Sequence, residues 1–317
     1  MKIIVLEADA LGKDMSFDGL NQFGEVEIYG NLPQDMVKET IKDADIIVSN
    51  KLLINESVLA GSKVKMIAEA ATGYNNIDVE YCKAKGIRVA NVAGYSTDSV
   101  AQHTVALLLS VYEKISYYND YVKSGKYSHG GTFSHVDNYF HEIADKTWGI
   151  VGLGAIGKAT ARLATAFGAK VVYYSATGNT YDVEYDSVDF DTLLKNSDII
   201  SIHCPLNDKT NGLFNEEAFR KMKNSAVLIN VARGPVVSDK ALAKALIDGE
   251  IMAAGLDVFE KEPIPEDNPL LQIKDDCKLV MTPHIGWGTV EARSRLVKEI
   301  EQNIQAFMDG QERNVIA

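Results

Sequence analysis

The sequence contains few cysteines, and they lie far apart. Three occur in 317 residues, at Cys82, Cys204 and Cys277, and they form neither a Cys-x-x-Cys pair nor a Cys/His ligand pattern. An odd number of widely spaced cysteines is typical of reduced thiols in a cytosolic protein. The sequence therefore predicts no disulfide framework and no metal site, and it favours a cytoplasmic location.

Long hydrophobic runs and an excess of basic residues are also absent. The first apolar run, Met1–Leu6, is too short for a signal peptide, and Val105–Val111 is far below the roughly 20 apolar residues of a membrane-spanning helix. We therefore expect a soluble protein that is not exported. Lys and Arg total 32 against 44 Asp and Glu, which gives a formal net charge of -12. Because this charge repels polyanions, neither nucleic acid nor a membrane surface is expected as a partner.

What the sequence does contain is a regular alternation of short apolar runs and helical patterns. A length of 317 residues suits two domains. Apolar runs separated by amphipathic helices are typical of parallel sheets covered by helices. The α/β class is therefore predicted, with two doubly wound parallel sheets. The predicted strands are Ile3–Leu6, Ile46–Val48, Lys65–Ala68, Ile87–Ala90, Gly149–Val151, Val171–Tyr174, Ile199–Ile202, Ala226–Ile229, Ala253–Leu256 and Leu279–Thr282.

Three other segments have patterns of their own. Thr97–Lys123 has apolar residues at helical spacing and is predicted to form one long helix that leads from one domain to the other. Ser124–Tyr139 is rich in glycine and aromatic residues, fits neither period, and is predicted to be an extended arm or loop. Thr289–Met308 is predicted to be the final helix.

A glycine-rich turn stands between a predicted strand and a predicted helix. Gly152, Gly154 and Gly157 follow the strand that ends at Val151, and the helical pattern Ile156–Phe167 begins inside the motif. In dinucleotide-binding turns the first glycine allows the tight turn, the second lets backbone approach a pyrophosphate, and the third lets the helix lie close to the strand. The N-terminal N–H groups of the helix then face the phosphates. This context favours a dinucleotide site over an ordinary strand-turn-helix connection.

Ionisable side chains follow three of the later predicted strands. Arg233, Glu262 and His284 come at the carboxyl ends of strands, where open α/β sheets hold their ligands. An arginine can bind a substrate carboxylate or carbonyl, a histidine can exchange the proton of an alcohol, and a carboxylate beside that histidine favours the protonated ring. These are the groups that hydride transfer to a 2-oxo acid requires. Taken singly, each has a structural alternative: a surface ion pair, a solvated turn or a strand end.

Together these residues form an ordered set that resembles the family of D-isomer-specific 2-hydroxyacid dehydrogenases. The resemblance covers essentially the whole chain. Besides the glycine turn, the motifs that carry it are Ala71–Asp78 (ATGYNNID), Asn91–His103 (NVAGYSTDSVAQH), His203–Leu206 (HCPL) with Thr210, Asn230–Gly234 (NVARG), Gly255–Val258 (GLDV) and Pro283–Trp287 (PHIGW).

The resemblance implies catalytic roles. Arg233 would orient the carbonyl and carboxylate of the substrate, His284 would be the acid/base, and Glu262 would pair with it. Glu260 is a nearby competitor for the last role. Glu262 is nevertheless the residue that directly precedes Pro263, as in the family pattern.

The resemblance also implies binding residues. Backbone N–H groups of Thr72 and Gly73 would join Arg233 and His284 in binding the substrate. Asp257 would hold the nicotinamide carboxamide. The implied coenzyme-binding set, in which Pro205 flanks the adenine, is Gly152, Gly154, Ala155, Ile156, Gly157, Ser175, His203, Pro205, Thr210, Val231, Ala232, Arg233, Asp257, His284 and Gly286.

A domain layout and a partner follow from the same resemblance. Residues 1–97 and 289–317 would form a discontinuous, flavodoxin-like substrate domain, and residues 98–288 would form a Rossmann domain inserted into it. The active site would lie in the cleft between them, and closure would exclude water before hydride transfer. Family members usually form homodimers through the nucleotide domain. Tyr127–His141 is therefore a candidate dimer contact, and the alternative is a mobile surface loop.

The choice of coenzyme depends on the residue that follows the second strand of the nucleotide domain. Folds that bind NAD usually carry Asp or Glu there to bind the ribose 2′-hydroxyl, whereas this chain has Ser175. No carboxylate would repel a 2′-phosphate, but Ser175–Thr180 has no Arg or Lys to neutralise one. The sequence therefore favours NAD and leaves use of NADP open.

Within the family, the sequence looks most like the glycerate dehydrogenases, which act as hydroxypyruvate reductases. This implies that hydride passes from nicotinamide C4 to C2 of hydroxypyruvate while His284 protonates the oxygen, giving D-glycerate. Ser96, Thr97 and Asn75 could be polar neighbours of the hydroxymethyl group, or could serve only as helix caps. Two alternatives stay open: a D-lactate or broad-specificity 2-oxoacid reductase, and a non-enzymatic, NAD(H)-sensing protein of the corepressor type.

Overall fold

Two structural units make up the computed structural model, which describes residues 1–179, 181 and 183–317. The first unit comprises Met1–Ser96 and Gly288–Ala317, and the second comprises Thr97–Trp287. Each unit is built on its own parallel sheet. None of the helices in the described part of the chain is long and apolar enough to cross a membrane.

The first unit has a sheet of five described strands. They are β1 (Lys2–Val5), β2 (Glu25–Ile28), β3 (Ile46–Ser49), β4 (Met66–Glu69) and β5 (Arg88–Ala90), with the short helices α1 (Val37–Thr40), α2 (Glu56–Leu59) and α3 (Val79–Lys85) between them. The order is β2-β1-β3-β4-β5, and all neighbours are parallel. This is the flavodoxin-like order, in which the direction of winding reverses between β1 and β3.

The second unit has a larger sheet. Its elements are α4 (Thr97–Tyr112), α5 (Ile115–Lys123), α6 (Lys126–His129), β6 (Thr147–Val151), α7 (Ala155–Ala166), β7 (Lys170–Tyr174), β8 (Asp186–Ser187), α8 (Phe190–Asn196), β9 (Ile199–Ile202), α9 (Glu216–Lys221), β10 (Val227–Asn230), α10 (Asp239–Asp248), β11 (Ala253–Leu256) and β12 (Leu279–Met281). The order of the described strands is β12-β11-β10-β9-β6-β7-β8, again all parallel. The winding reverses between β6 and β9, which is the Rossmann arrangement.

Different helices cover the two faces of the second sheet. Successive strand residues point to opposite faces. Ile199 therefore packs in the cluster that α4 and α7 cover, and Ile200 packs in the cluster that α8, α9 and α10 cover. Strands that are buried on both faces read as unbroken apolar runs in the sequence. The predicted α/β class with two doubly wound parallel sheets is confirmed.

The last helix, α11 (Val290–Met308), belongs to the first unit. Thr289 caps it, because its side chain accepts a hydrogen bond from the N–H of Ala292 at 3.3 Å. Leu296, Ile300 and Ile304 recur every four residues and are fully buried, so one face of the helix packs into the unit. The predicted final helix is confirmed to within one residue.

The predicted single helix over Thr97–Lys123 is wrong. The structure has two helices, α4 and α5, because Lys114 between them adopts a left-handed conformation with φ of +54°. A left-handed residue cannot continue a right-handed helix. Apolar residues keep helical spacing across the break, so periodicity alone did not reveal it.

The segment predicted as an extended arm or loop contains one helical turn, α6, and its other described residues lie outside helices and strands. Its base is held by aromatic contacts. The rings of Tyr121 and His135 stack with centroids 3.8 Å apart, and the Tyr117 hydroxyl lies 2.7 Å from His135 Nε2. Further along, Phe133 and Tyr139 are 96% and 76% exposed.

Candidate active site

The glycine turn links β6 to α7. Gly152 has φ of +92°, a conformation that side chains rarely adopt, and a Cβ on it would lie 2.7 Å from the backbone of Cys204. A Cβ on Gly157 would collide with the carbonyl oxygen of Gly152, so only glycine lets α7 approach the turn this closely. A Cβ on Gly154 would meet nothing within 4 Å. The turn is thus packed against the protein at two glycines and open at the third, where α7 begins and its first N–H groups lack helical partners.

A recess adjoins this turn where the winding of the second sheet reverses. Its wall is formed by the turn itself and by the segments that follow β7 and β9. Open α/β sheets bind nucleotides at this position. Of the predicted coenzyme residues, the wall contains Gly152, Gly154, Ser175, His203, Pro205 and Thr210. Thr180, the last residue of the predicted ribose segment, lies outside the described residues.

His203 places a spare polar atom in the wall of this recess. Its Nε2 lies 3.0 Å from the Ser201 hydroxyl, which also accepts the indole N–H of Trp148 at 2.9 Å. The Ser201 hydroxyl keeps its own hydrogen for donation and can give it to Nε2, in which case the ring hydrogen of His203 is on Nδ1. Burial lowers the pKa of His203 to about 3, so the ring is neutral. Nδ1 is buried and has no hydrogen-bond partner among the described residues, and this unpaired ring nitrogen together with the open glycine turn fits a bound dinucleotide.

Arg233 follows β10 in a loop that its neighbours hold in place. Asn230 accepts the N–H of Ala232 and donates to the carbonyl oxygen of Arg233, both at 3.1 Å. Gly234 packs against the backbone of Phe259, where a Cβ would collide with the carbonyl oxygen. The guanidinium donates to the Ala232 carbonyl oxygen at 2.8 Å and forms no ion pair with a described carboxylate. Its other N–H donors can therefore bind an anionic substrate.

His284 and Glu262 form a hydrogen-bonded pair. His284 Nδ1 lies 2.6 Å from Glu262 Oε2, and the two side chains are 28% and 35% exposed. The other carboxylate oxygen of Glu262 accepts the N–H of Phe259 at 3.1 Å, which fixes its orientation. Because Nδ1 faces Glu262, Nε2 is the ring atom that can exchange a proton with a substrate.

Glu260, the competing carboxylate, is engaged elsewhere. It accepts the N–H of Asp239 at 2.8 Å at the start of α10, and its own N–H donates to Asp239 at 3.4 Å. Of the two glutamates, the structure places Glu262 against the histidine.

Asp257 lies just after β11 and is 2% exposed. Its carboxylate accepts hydrogen bonds from the Thr282 hydroxyl at 2.6 Å and from the N–H groups of Ile285 and Gly286, both at 2.8 Å. Burial acts to raise the pKa of Asp257, but the nearby His103 ring and the hydrogen bonds from Thr282 and the two N–H groups outweigh it, and the pKa is lowered. The ionised carboxylate therefore holds the turn after β12. Its role toward the nicotinamide stays a prediction.

In the first unit, the loop after β4 offers two backbone donors. The Thr72 hydroxyl donates to the Val92 carbonyl oxygen at 2.9 Å, and the Thr72 carbonyl accepts from the Asn91 amide at 2.7 Å. The N–H groups of Thr72 and Gly73 donate to no other backbone carbonyl in the described chain. These are the donors that the family resemblance assigns to a substrate carboxylate.

The predicted residues of the second unit therefore fall into two groups. One surrounds the recess beside the glycine turn. The other lies at the carboxyl ends of the next three strands and comprises Val231, Ala232, Arg233, Asp257, Glu262, His284 and Gly286. Sequence patterns did not identify the side chains that surround Asp257 in the second group, notably His103 and Thr282. His103 ends the motif Asn91–His103, but nothing in the linear sequence places it beside Asp257.

Comparison with known proteins shows the family of the chain. Residues 105–286 match the model of the family described as D-isomer specific 2-hydroxyacid dehydrogenase, NAD binding domain. The chain is 38% identical over 324 residues to a hydroxypyruvate reductase from Blautia hydrogenotrophica, covering 100% of this chain and 99% of that protein.

Solved structures show the same architecture bound to two coenzymes. An acyclic imino acid reductase in complex with NADPH and D-Arg superimposes with a TM-score of 0.88 at 30% identity, covering 100% of both chains. D-Lactate dehydrogenase from Aquifex aeolicus, complexed with NAD and lactic acid, superimposes with a TM-score of 0.83 at 29% identity, covering 98% of this chain and 96% of that one. The chain thus belongs to the D-isomer specific 2-hydroxyacid dehydrogenases, an NAD-binding family of oxidoreductases.

Proposed function

We propose that the protein is an NAD(H)-dependent hydroxypyruvate reductase that forms D-glycerate. The observation that carries this proposal is the His284–Glu262 pair, hydrogen-bonded at 2.6 Å, because it is the acid/base device that reduction of a carbonyl needs. The choice of hydroxypyruvate is supported by the full-length relative of that name.

The side chains of the second unit account for the steps around the hydride. Bound NADH would supply the hydride to C2 of the substrate. Arg233 binds the carbonyl oxygen and the carboxylate of the 2-oxo acid through the N–H donors for which the described residues offer no partner. His284 gives a proton from Nε2 to the carbonyl oxygen as negative charge develops there. Glu262 at Nδ1 orients the ring.

The predicted division of labour between the domains is part of the proposal. Residues 98–288 would bind the coenzyme, with the neutral His203 ring and the open glycine turn as supporting features. In the domain formed by residues 1–97 and 289–317, the N–H groups of Thr72 and Gly73 would bind the substrate carboxylate. Their lack of backbone acceptors supports this role.

The coenzyme is proposed to be NADH, with NADPH as a second, weaker partner. Ser175, partly exposed after β7, places no carboxylate where a 2′-phosphate would lie. The sequence segment offered no cation, but Lys158 from α7 lies with Nζ 4.9 Å from the ring centroid of Tyr181, which lines the same recess. One ammonium group near that end of the recess supports acceptance of a phosphate, and the absence of Arg among residues 175–179 argues for NADH as the preferred form.

We also propose that the protein is a cytoplasmic homodimer assembled through the nucleotide domain. The exposed apolar side chains of Tyr127–His141, above all Phe133 and Tyr139, support this assembly. The three free cysteines suit a reducing compartment. Sedimentation of the wild type and of Phe133→Ser tests the interface: a monomeric wild type would leave the segment as a surface loop.

The direct test is the initial rate of NADH oxidation with hydroxypyruvate, glyoxylate and pyruvate in parallel. Preference for hydroxypyruvate is the expected result. Preference for pyruvate would establish the D-lactate alternative, and no turnover with any 2-oxo acid, while NADH still binds, would favour the sensing alternative.

Two variants test the roles of the residues. His284→Ala should lower turnover strongly with NADH binding nearly unchanged, and Arg233→Ala should cost several kcal/mol of transition-state binding, because a charged substrate group loses its partner in a water-poor site. Wild-type rates in either variant would remove that residue from the mechanism. Glu260→Gln is the matched control, since Glu260 faces Asp239.

A further inference from the structure

We propose that His103 is a positioning residue for the acid/base pair: from helix α4 it locks the turn after β12 that carries His284. The inference rests on the proposed function of His284. His103 is not in the pair itself and acts through Thr282 and Asp257. Its side chain is 19% exposed.

The turn after β12 adopts a conformation that its own residues do not favour. His284 has φ of +56°, in the left-handed region, which costs a residue with a Cβ roughly 1–2 kcal/mol. Within the turn, the His284 N–H donates to the Thr282 carbonyl oxygen at 3.0 Å. Such a conformation persists only where the surroundings fix it, so the position of the imidazole depends on contacts from outside the turn.

The outside contact is a chain of hydrogen bonds that begins at His103. Its Nε2 lies 2.9 Å from the Thr282 hydroxyl and 3.4 Å from Asp257 Oδ1. The Thr282 hydroxyl lies 2.6 Å from the same oxygen of Asp257, and 3.5 Å from the Leu256 carbonyl oxygen. Its single hydrogen therefore goes to Asp257, and the hydroxyl accepts from His103. This arrangement requires a hydrogen on Nε2 of His103.

Asp257 links this chain of hydrogen bonds to the turn that carries His284. The oxygen that Thr282 and His103 approach also accepts the N–H of Ile285 at 2.8 Å, and the second oxygen accepts the N–H of Gly286 at 2.8 Å. Contacts from α4 therefore hold the Asp257 carboxylate in place on one side. On its other side, the carboxylate holds the N–H groups of the two residues that follow His284.

A second contact from α4 reaches the same turn. Ser99, four residues before His103 and on the same face of the helix, donates to the carbonyl oxygen of Gly286 at 2.6 Å. A Cβ on Gly286 would lie 2.9 Å from Asp257 Oδ2 and 3.3 Å from Cδ2 of His103. The turn and the helix are therefore in close contact, and α4 is itself packed in the core of the second unit. Helix α4 thus fixes the position of His284, which lies 181 residues after His103 in the chain.

Loss of the His103 donor should loosen the turn and separate His284 from Glu262. His103→Leu is expected to lower kcat on hydroxypyruvate roughly 100-fold, because a displacement of about 1 Å at a reacting group has effects of that size. In the free protein, the amide hydrogens of Ile285 and Gly286 should exchange at least about tenfold faster than in the wild type. His103→Gln, which can place an amide N–H where Nε2 lies, should restore both quantities to within about threefold.

The experiment measures hydrogen exchange in the free protein and kcat in the same preparations of wild type, His103→Leu, His103→Gln and His284→Ala. Gln102→Leu, an exposed neighbour on α4, is the matched control and should change neither quantity. Unchanged exchange in His103→Leu, or loss of kcat with no recovery in His103→Gln, would overturn the positioning role. If His284→Ala kept full turnover, the proposed function would fail instead, and the exchange data would still report separately on whether His103 holds the turn.

Discussion

Asp257 and Glu69 are buried carboxylates at the carboxyl ends of parallel strands, one in each unit, and their surroundings differ. Asp257 accepts hydrogen bonds from a hydroxyl and two backbone N–H groups. Glu69, at the end of β4, is 0% exposed and is approached by the Asn76 amide at the long distance of 3.5 Å. Its Oε1 has no hydrogen-bond partner among the described residues.

The comparison shows that donors, more than depth, decide the charge of a buried acid. Burial raises the pKa of Glu69 to about 9, against weak opposition from Asn76 and Lys51 and with a small addition from Glu7. Burial acts in the same direction on Asp257, but its donors outweigh it and the pKa is lowered. At neutral pH one carboxyl group is protonated and the other is ionised. The ionised Asp257 holds the turn after β12, a role that a neutral acid with one weak donor could not fill.

Asp257→Asn should have the largest effect. The side chain keeps its size but presents an NH₂ group to donors that need an acceptor, so we expect the unfolding free energy to fall by about 4 kcal/mol. Turnover of hydroxypyruvate should fall at least about 100-fold, because the turn after β12 loses its anchor. Urea unfolding and NADH oxidation at pH 7 measure the two effects. A variant as stable as the wild type would contradict the importance of the donors.

Glu69→Gln should act in the opposite direction. The folded pKa lies above the usual value of 4.5, so the contribution of Glu69 to the stability of the wild type is fully present below that pH. This contribution is lost as pH rises toward about 9, because the unfolded chain releases a proton that the folded chain keeps. Glutamine cannot ionise. The variant should therefore gain about 1.4 kcal/mol on the wild type for each pH unit between pH 6 and 8, roughly 3 kcal/mol in all. Urea unfolding at three pH values checks this, and parallel stability curves would show that folded Glu69 is already ionised.

Glu7→Gln tests whether the number of hydrogen-bond donors around a buried carboxylate, and not its location in the first unit, decides how its substitution changes stability. Glu7 lies in the same unit as Glu69 and is 8% exposed, but it accepts the N–H groups of Asn50 at 2.7 Å, Lys51 at 3.0 Å and Leu52 at 3.2 Å. We expect this substitution to destabilise the protein by about 2 kcal/mol at pH 7, since charged acceptors of several N–H groups are replaced by one neutral oxygen. If Glu7→Gln instead stabilised the protein, as expected for Glu69→Gln, location in the first unit and not the number of donors would decide the sign of the change in unfolding free energy.

Ser175→Asp should have the smallest effect, because it adds a carboxylate at a partly exposed site. Stability should change little there. Binding should change selectively: the new charge would repel a 2′-phosphate and weaken NADPH about tenfold, roughly 1.4 kcal/mol, while NADH binds as before. Fluorescence titration with both coenzymes measures this, with Thr177→Asn as an uncharged control. Equal weakening of both coenzymes would place the side chain outside the 2′-phosphate position.

Much of the fold could be predicted from runs and periods, and the failures have local causes. Strands buried on both faces, such as Ile199–Ile202, were identified by their apolar runs. β2 was missed because an edge strand that reads Glu-Val-Glu-Ile is only partly buried, and β8 because it has two residues. The break at Lys114 was missed because a left-handed residue other than glycine leaves no trace in hydrophobic spacing.

The sequence by itself determined the classes of element, the glycine turn and the residues able to do acid/base chemistry. Tertiary structure decided which glutamate meets His284, which side chains surround Asp257, and that Lys158 stands near Tyr181. The physical reason is that burial patterns depend on residues close together in the sequence, with a period of two residues in strands and 3.6 in helices. Hydrogen-bond partners at strand ends are set instead by the register between strands and by the helix packed beside them, so residues as distant as His103 and Thr282 become neighbours only when the sheet has formed.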